Sequence, residues 1–213
     1  MPMTQTLDQR QIILFGGSFD PPHVAHVALP QAVREKVGAD LVAYIPAAKA
    51  PHKLDRVQTD PAHRLAMLRL ALAKVPHTDI YTDELDRAAD GRPSYTVDTL
   101  RSLRQRLGTD VRLRLLIGAD QVRIFDQWRN PEEIIMLAEP LVMVRPPDTK
   151  DSLLASLPDD EARGQWVSRL VDVPRIDISS TEVRRRVANN EPITGMVDPA
   201  VEQYIYAHNL YKT

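Results

Sequence analysis

Two histidines stand three positions apart shortly after a pair of glycines, and this part of the chain is the best suited to chemistry. Gly16 and Gly17 end an apolar run, and His23 and His26 begin a stretch that favours a helix. Glycines let a backbone approach a ligand closely, and a helix N-terminus offers unpaired N–H groups and partial positive charge. An isolated histidine pair more often caps and packs a helix. In this strand–glycine–helix setting the pattern favours a site that handles phosphate.

The elements around this turn predict an α/β fold, with a Rossmann-like, doubly wound, mostly parallel sheet and helices on both faces. Short apolar runs alternate with amphipathic stretches, which is typical of such sheets. The predicted strands are 12–15, 41–45, 79–82, 112–117, 141–144 and 171–176. The predicted helices are 24–37, 61–74, 95–107, 120–126, 131–138, 181–189 and 199–208. Ligands bind beyond the carboxyl ends of the strands in these sheets, where the glycine turn is expected to lie.

Length and composition restrict the classes of protein to consider. The 213 residues fit one domain, 1–213, with a C-terminal helical part at about 179–213. A formal net charge of −2 gives no reason to expect nucleic acid or an anionic membrane as a partner. The chain has no cysteine, which excludes disulfides and a cysteine nucleophile. Residues 1–11 are polar and no apolar run approaches a bilayer's thickness, so a cytoplasmic protein is predicted, with a homo-oligomer left open.

The glycine turn resembles the signature of the nucleotidylyltransferase superfamily, which is His-x-Gly-His after a first strand. Residues 16–26 read Gly-Gly-Ser-Phe-Asp-Pro-Pro-His-Val-Ala-His, so Ala25 stands where the motif has glycine. In the superfamily that glycine lies against the nucleotide, and the extra methyl group of Ala25 is a departure there. The resemblance implies that Gly16 and Gly17 belong to the ATP-binding site.

The same resemblance implies roles for the other residues of the turn. His26 is expected to contact the α-phosphate region of ATP, and His23 the triphosphate. Ser18 and Phe19 are expected to lend backbone donors to the incoming phosphate. A carboxylate repels phosphates, so Asp20 is expected to orient the turn through hydrogen bonds to backbone N–H groups.

A second motif follows the last predicted strand, where residues 178–184 read Ile-Ser-Ser-Thr-Glu-Val-Arg. Alone, it reads as an ordinary helix with a hydroxyl cap and solvated arginines. Paired with the histidine turn, it resembles the superfamily's Ile-Ser-Ser-Thr-x-x-Arg motif, which clamps the β- and γ-phosphates. The resemblance implies a catalytic role for Arg184. It implies ATP contacts by the residues that open the helix, Ile178, Ser179, Ser180 and Thr181.

Two further stretches resemble bacterial nicotinate-nucleotide adenylyltransferases. The loop after the second predicted strand ends in Pro-His-Lys, and the resemblance implies that Lys53 approaches the phosphates. A flexible proline-rich loop explains the same composition. The stretch 92–100, Arg-Pro-Ser-Tyr-Thr-Val-Asp-Thr-Leu, begins a helix whose N–H groups suit the nicotinate carboxylate, with Tyr95 and Thr96 near the ring. A nicotinamide would leave those donors unmatched, which is a physical basis for preferring the acid.

A third stretch of this kind follows the fourth predicted strand. Gly118 permits close approach of a ligand, and Asp120 either caps the next helix or accepts from a ribose hydroxyl. The resemblance implies that Trp128 stacks on the pyridine ring, although a tryptophan more often packs in a core. Arg129 stands where the family often has an aromatic residue, so a contact made by that neighbour does not carry over.

Together the motifs predict an adenylyltransferase that joins ATP and nicotinate mononucleotide to give nicotinate adenine dinucleotide and pyrophosphate. The acceptor phosphate attacks directly, with no covalent enzyme intermediate and with Mg²⁺ carried by the ATP phosphates. The residues implied to be catalytic are His23, His26, Lys53 and Arg184. Two alternatives stay open. One keeps the fold but changes the acceptor to nicotinamide mononucleotide or phosphopantetheine, and the other is a non-catalytic nucleotide-binding module, which only Ala25 favours.

Overall fold

The computed structural model describes residues 10–48, 58–88 and 94–212 of the chain. Within them, six parallel strands form one sheet in the order β3-β2-β1-β4-β5-β6. The strands are β1 Gln11–Gly17, β2 Leu41–Pro46, β3 Thr78–Ile80, β4 Arg112–Gly118, β5 Glu139–Met143 and β6 Leu170–Val171. The predicted doubly wound α/β fold is confirmed.

Helices connect these strands and cover the sheet. They are α1 Val24–Val37, α2 Pro61–Leu72, α3 Asp83–Ala88, α4 Thr96–Leu107, α5 Ala119–Val122, α6 Pro131–Leu137, α7 Lys150–Ala155, α8 Asp160–Val167, α9 Ser180–Ala188 and α10 Pro199–Ala207. A 3-10 turn spans Phe125–Gln127. In the part of the chain that the structure describes, no helix is both long and apolar enough to cross a membrane.

The side chains of β1 alternate between two buried clusters, as the period of a strand requires. Ile12 and Leu14 face a cluster that includes residues of α4 and α6. Ile13 and Phe15 face the opposite cluster, which contains residues of α1 and α2. Both faces of the sheet are therefore covered, which explains why its central strands are almost wholly apolar.

The strand order reverses at β1, because the chain passes from β1 to β2 on one side and later returns to place β4 on the other. Connections that leave neighbouring strands in opposite directions open a crevice at their carboxyl ends. Gly16 and Gly17 end β1 at this crevice, and Gly118 ends β4 beside it.

Two of the predicted elements are wrong in detail. The strand predicted at 171–176 is the two-residue edge strand β6, which pairs with β5 through Leu170 and Val171 only. Pro174 has no N–H to donate to a ladder, so the apolar run beyond it does not extend the pairing. The helix predicted at 120–126 is divided between α5 and the 3-10 turn.

The segments with few apolar residues hold helices that the pattern does not predict. The stretch 146–164 contains all of α7 and the start of α8. Thr149 and Asp159 cap these helices by accepting backbone N–H groups at 3.0 and 2.8 Å. The six-residue α3 was also missed, because its acidic sequence has no apolar period to reveal it.

Candidate functional site

A cleft of about 430 Å³ opens at the switch point and collects most of the residues that the motifs single out. The predicted residues that line it are Gly16, Gly17, Ser18, Phe19, His23, His26, Tyr95, Thr96, Gly118, Asp120, Trp128, Ser179, Ser180, Thr181 and Arg184. Ile178 is not among the lining residues, and its side chain packs against the buried cluster of α2, α9 and α10. Lys53 lies outside the described residues. The contacts of all these residues with substrates stay predictions.

The two histidines are arranged as one unit at the start of α1. His23 is the N-cap residue, and its backbone N–H donates to Nδ1 of His26 at 3.2 Å. Their rings stack with centroids 3.6 Å apart. Because Nδ1 of His26 accepts this hydrogen bond, the neutral form of the ring carries its proton on Nε2. The pair thus lines the cleft with the orientation of the His26 ring fixed by the backbone of His23.

His23 is held neutral within the fold. The residue is 2% exposed, and its Nδ1 has no hydrogen-bond partner within the described residues. Burial, together with the charge of Arg145, lowers the pKa of His23 to about 3. A buried polar atom without a partner calls for an explanation, and a ligand in the cleft would provide one.

We expect the neutrality of His23 to appear in the pH dependence of stability. Its folded pKa of about 3 lies below the ordinary value of 6.5, so the unfolded chain takes up the proton first as the pH falls. The contribution of neutral His23 to the free energy of unfolding is therefore fully present above pH 6.5 and is lost as the pH falls toward 3. The free energy of unfolding falls by at most about 1.4 kcal/mol per pH unit from this one group. Urea unfolding at a series of pH values from 7 to 4 measures this loss.

The matched variants are His23→Gln and His208→Gln, the latter at a solvent-exposed position. The free energy of unfolding of His23→Gln is expected to fall less steeply than that of the wild type as the pH is lowered. His208→Gln is expected to follow the wild type. Equal slopes for His23→Gln and the wild type would contradict the assignment.

The glycine turn folds back over its own phenylalanine. Phe19 is 1% exposed and has a φ of 48°, in the left-handed region that bulky residues rarely adopt. A Cβ on Gly17 would lie 2.9 Å from the ring of Phe19, closer than side-chain carbons approach one another. Glycine at position 17 is therefore required by the turn itself, and not only by a ligand.

A buried arginine that the motifs do not indicate supports the turn from below. Arg64, on α2, is fully buried. Its guanidinium donates to four backbone carbonyls, those of Ala47 at 2.7 Å, Ser18 at 2.8 Å, Thr59 at 3.0 Å and Ala48 at 3.2 Å. These bonds tie the glycine turn to the end of β2 and to the approach to α2. The turn, 46 residues away in sequence, gives no signal that could have found Arg64.

The Asp20 carboxylate is held by hydrogen bonds from two residues outside the glycine turn. It is 6% exposed and accepts the backbone N–H of Thr59 at 3.3 Å and the hydroxyl of Tyr211 at 2.7 Å. The bond to Thr59 agrees with the predicted orienting role. The bond to Tyr211 is new, because nothing in the sequence relates that tyrosine to the turn.

The second motif docks directly on the first. Ser179 caps α9 through its side chain, and the hydroxyl of Ser180 donates to the carbonyl of Pro21 at 2.9 Å. The guanidinium of Arg184 donates to the carbonyl of Asp20. Two segments more than 150 residues apart therefore form one surface, in which the N-termini of α1 and α9 are neighbours.

This end of the cleft is suited to a polyanion. Arg184 and Arg145 both line it, and Arg184 also donates to the hydroxyl of Thr181 at 3.1 Å. Helix N-termini add partial positive charge beside these guanidinium groups. Among residues 10–48, 58–88 and 94–212, no group of three or more histidine, aspartate or glutamate side chains is placed to hold a metal ion.

The opposite end of the cleft is formed by the start of α4. Tyr95 is the N-cap residue and Thr96 the first helical residue, and in the described structure no side chain caps this helix. The guanidinium of Arg129 lies 4.8 Å from the centre of the Tyr95 ring and 3.6 Å from the Asp98 carboxylate. Arg129 is thus held against the helix by a cation–π contact and an ion pair, in place of the aromatic residue that the family often has.

Trp128 is half-buried beside this helix start. Its ring packs against Phe125 with centroids 5.3 Å apart, and its Nε1 is buried without a hydrogen-bond partner in the described structure. Trp166 packs on the same Phe125 at 5.1 Å but belongs to the core. Only Trp128 lines the cleft, which is the arrangement a stacking role requires.

A carboxylate at this end of the cleft was also missed. Glu84, on α3, lines the cleft and accepts the hydroxyl of Thr99 at 3.0 Å, while Arg87 donates to the same hydroxyl at 2.6 Å. Burial raises the pKa of Glu84. Because α3 itself was not predicted, no pattern placed this carboxyl group near the start of α4.

The prediction that Asp120 caps the helix after β4 is wrong. Gly118 is the N-cap residue of α5 and no side chain of the described residues caps that helix, so Asp120 lies in the first turn and does not cap it. Its carboxylate instead accepts the side-chain amide of Gln121 at 2.8 Å. A Cβ on Gly118 would lie 2.5 Å from Oδ1 of Asp120, so glycine leaves room for that carboxylate at the edge of the cleft.

The alanine at the motif's glycine position causes no obstruction of the cleft. Ala25 is 2% exposed and belongs to the buried cluster between the sheet and α1. It is not among the residues that line the cleft. The methyl group is therefore absorbed by the core.

Comparisons with known proteins agree with this geometry. A family model described as Cytidylyltransferase-like matches residues 14–186, which include both motifs. A Bacillus pumilus protein named "Probable nicotinate-nucleotide adenylyltransferase" is 35% identical over 204 residues, covering 96% of this chain and 100% of the relative. A Thermomicrobium roseum protein of the same name is 39% identical over 202 residues, covering 94% of this chain and 91% of the relative.

Solved structures show the same fold at lower sequence identity. The structure of Plasmodium falciparum nicotinic acid mononucleotide adenylyltransferase complexed with NaAD superposes with a TM-score of 0.69. The match covers 95% of this chain and 97% of that chain at 20% identity. At this identity the likeness concerns the fold alone.

Proposed function

The chain belongs to the nicotinate-nucleotide adenylyltransferase family, within the cytidylyltransferase-like proteins, and we propose that it joins ATP to nicotinate mononucleotide. The products are nicotinate adenine dinucleotide and pyrophosphate, a step of NAD biosynthesis. We further propose that the chain is a single nucleotidylyltransferase domain and acts in the cytoplasm.

The observation that carries this proposal is the meeting of the two motifs at one end of a cleft whose other end is a helix N-terminus. His26 and Arg184 line the polyanion-binding end, and Thr96 begins α4 at the other. A site for a triphosphate and a site for a carboxylate-bearing nucleotide thereby share one cavity of about 430 Å³. That size lies within the range of pockets that hold small-molecule ligands.

The reaction needs no nucleophile from the protein. A phosphate oxygen of nicotinate mononucleotide attacks the α-phosphorus of ATP, and the bond from that phosphorus to the oxygen bridging the β-phosphate breaks. Charge builds on the non-bridging and leaving oxygens, where fixed donors stabilise it. We assign this role to His23, His26 and Arg184, with Lys53 as a further predicted donor. Mg²⁺ arrives on the ATP phosphates, since this ion commonly binds through substrate oxygens.

Acceptor choice is proposed to arise at the start of α4. A nicotinate carboxylate accepts hydrogen bonds from the N–H groups that no side chain caps in the described structure, near Tyr95 and Thr96. An amide group would present its NH₂ to these donors and leave them unmatched. Sites built in this way discriminate strongly against the mismatched ligand.

Pyrophosphate release from ATP and Mg²⁺ tests the proposal, with nicotinate mononucleotide, nicotinamide mononucleotide and phosphopantetheine supplied separately. Release largely confined to nicotinate mononucleotide is the expected result. Comparable release with the amide would keep the transferase and reject the account of acceptor choice. No release with any acceptor, despite ATP binding, would instead favour the non-catalytic binding module, although the buried methyl of Ala25 removes the feature that supports that alternative.

A further inference from the structure

The backbone of the phosphate-binding turn is in a conformation that the surrounding fold must maintain. Phe19 has a φ of 48° although it is neither glycine nor asparagine. Such a conformation costs free energy and persists only where neighbouring groups determine it strongly. The turn carries Ser18 and Phe19 on one side and His23 on the other, so a change in its backbone would displace the groups assigned to phosphate binding.

Asp20 is a second point, besides the Ser18 carbonyl that Arg64 binds, at which the fold holds the turn. Its two carboxylate oxygens accept from Tyr211 at 2.7 Å and from the backbone N–H of Thr59 at 3.3 Å. Its carbonyl accepts from Arg184, which lines the cleft. The buried cation of Arg64 attracts the same carboxylate. Fixing the Asp20 side chain therefore fixes both the turn and the arginine that reaches across it.

Tyr211 is itself held in place by the backbone that follows α10. It follows α10, its own φ of 62° is in the left-handed region, and the preceding residue donates to the carbonyl of Ile205 at 3.0 Å. Burial and the neighbouring Asp20 carboxylate raise the pKa of Tyr211, so its hydroxyl keeps its proton and donates it. The shorter of the two hydrogen bonds to the Asp20 side chain therefore has a defined donor, the Tyr211 hydroxyl.

We propose that Tyr211 is a positioning residue for catalysis, whose hydroxyl holds Asp20 and thereby sets the phosphate-binding turn and Arg184. This inference rests on the proposed function, because the effect is expected on the transferase reaction. The inference gives a role in the reaction to the segment after α10, which lies outside both the histidine motif and the arginine motif. Tyr211 is not among the residues that line the cleft, so it is expected to act through Asp20.

The chain offers a matched control. The hydroxyl of Tyr204, on α10, forms a hydrogen bond with Nδ1 of His63 at 2.9 Å. This bond joins α10 to α2 and does not involve the glycine turn. Tyr211→Phe and Tyr204→Phe each remove one hydroxyl from the same region. A merely structural loss is expected to be similar for the two variants, whereas a loss of positioning is specific to the first.

Steady-state kinetics is the first test, at a temperature well below both variants' unfolding transitions. Tyr211→Phe is expected to lower kcat about tenfold, in keeping with one hydrogen bond to a buried charge, with little change in either KM. Tyr204→Phe is expected to keep the wild-type kcat. Tyr211→Phe combined with Asp20→Ala is expected to lose little more than Asp20→Ala alone, because Asp20→Ala already removes the acceptor of the Tyr211 hydroxyl. An unchanged kcat in Tyr211→Phe, or an equal fall in both tyrosine variants, would overturn the inference.

Hydrogen exchange separates this inference from the proposed function. In Tyr211→Phe the backbone amides of Phe19, Asp20 and His23 are expected to exchange about tenfold faster than in the wild type and in Tyr204→Phe. This readout does not require the transferase reaction. If the wild type releases no pyrophosphate, the proposed function fails and kcat ceases to be a readout. In that case the catalytic role of Tyr211 fails together with the proposed function. Separately, unchanged amide exchange in Tyr211→Phe would reject the claim that Tyr211 holds the turn.

Discussion

Replacing His26 with alanine is expected to lower kcat by about 10²–10³-fold, which is the usual loss for one donor to a transition state. The imidazole lines the cleft, and its Nδ1 is engaged by the backbone N–H of His23, so the opposite nitrogen is the donor. The phosphoryl group gains its extra charge only as the reaction proceeds. ATP affinity is therefore expected to change much less than kcat.

The control for this variant is His208→Ala, which removes an exposed ring outside the cleft. His26→Ala and His208→Ala are compared by pyrophosphate release and by equilibrium binding of ATP. If kcat of His26→Ala stays within a few-fold of the wild type, His26 does not stabilise the transition state. If ATP binding falls as much as kcat, the ring contributes to uniform binding instead.

The parts of the site that could be predicted are those whose signals are local in sequence. Strand, glycine turn and helix follow one another within the first motif, and the cap and arginine of α9 lie five residues apart. Parallel strands bring their carboxyl ends to the same edge, so predicting the sheet already placed Gly17 and Gly118 together. The docking of α9 on the turn was implied by family resemblance and not by any pattern in the chain.

The parts that could not be predicted depend on contacts between distant residues. Arg64 lies in an ordinary helix sequence, and only the fold shows that its guanidinium is buried beneath the turn. Tyr211 reaches Asp20 across 191 positions. Neither residue has neighbours in sequence that distinguish it from a surface arginine or a packing tyrosine. Residues that support a site are in this respect harder to find than those that form it.

The direction of each Cβ explains why alanine fits at position 25 of the first motif, whereas Gly17 must be glycine. The methyl of Ala25 points into a cluster that the sheet and α1 bury in any case. By contrast, the turn has no space for a Cβ at Gly17, because the ring of Phe19 occupies it. The glycine requirement therefore depends on where each Cβ would point, which the motif alone does not state.

Replacing Trp128 with alanine is expected to raise the KM for nicotinate mononucleotide by about 10–100-fold, with a much smaller effect on the KM for ATP. Stacking an aromatic ring on a nucleic-acid base contributes about 1–3 kcal/mol, and a pyridine ring presents a similar face. Trp128 lines the cleft and packs on the sheet face that α4 covers, whereas Arg184 bonds to the turn that precedes α1. Its loss therefore affects one substrate. Steady-state kinetics with each substrate varied in turn measures the difference.

The two tryptophans of the chain supply the control, because both pack on Phe125 at nearly equal distances of 5.3 and 5.1 Å. Trp166→Phe changes the buried ring and is expected to lower the unfolding temperature without altering either KM. Trp128→Phe keeps an aromatic face and is expected to recover part of the acceptor affinity that Trp128→Ala loses. An unchanged acceptor KM in Trp128→Ala, with reduced stability like that of Trp166→Phe, would assign Trp128 to the core and leave the pyridine ring to be bound by α4 alone.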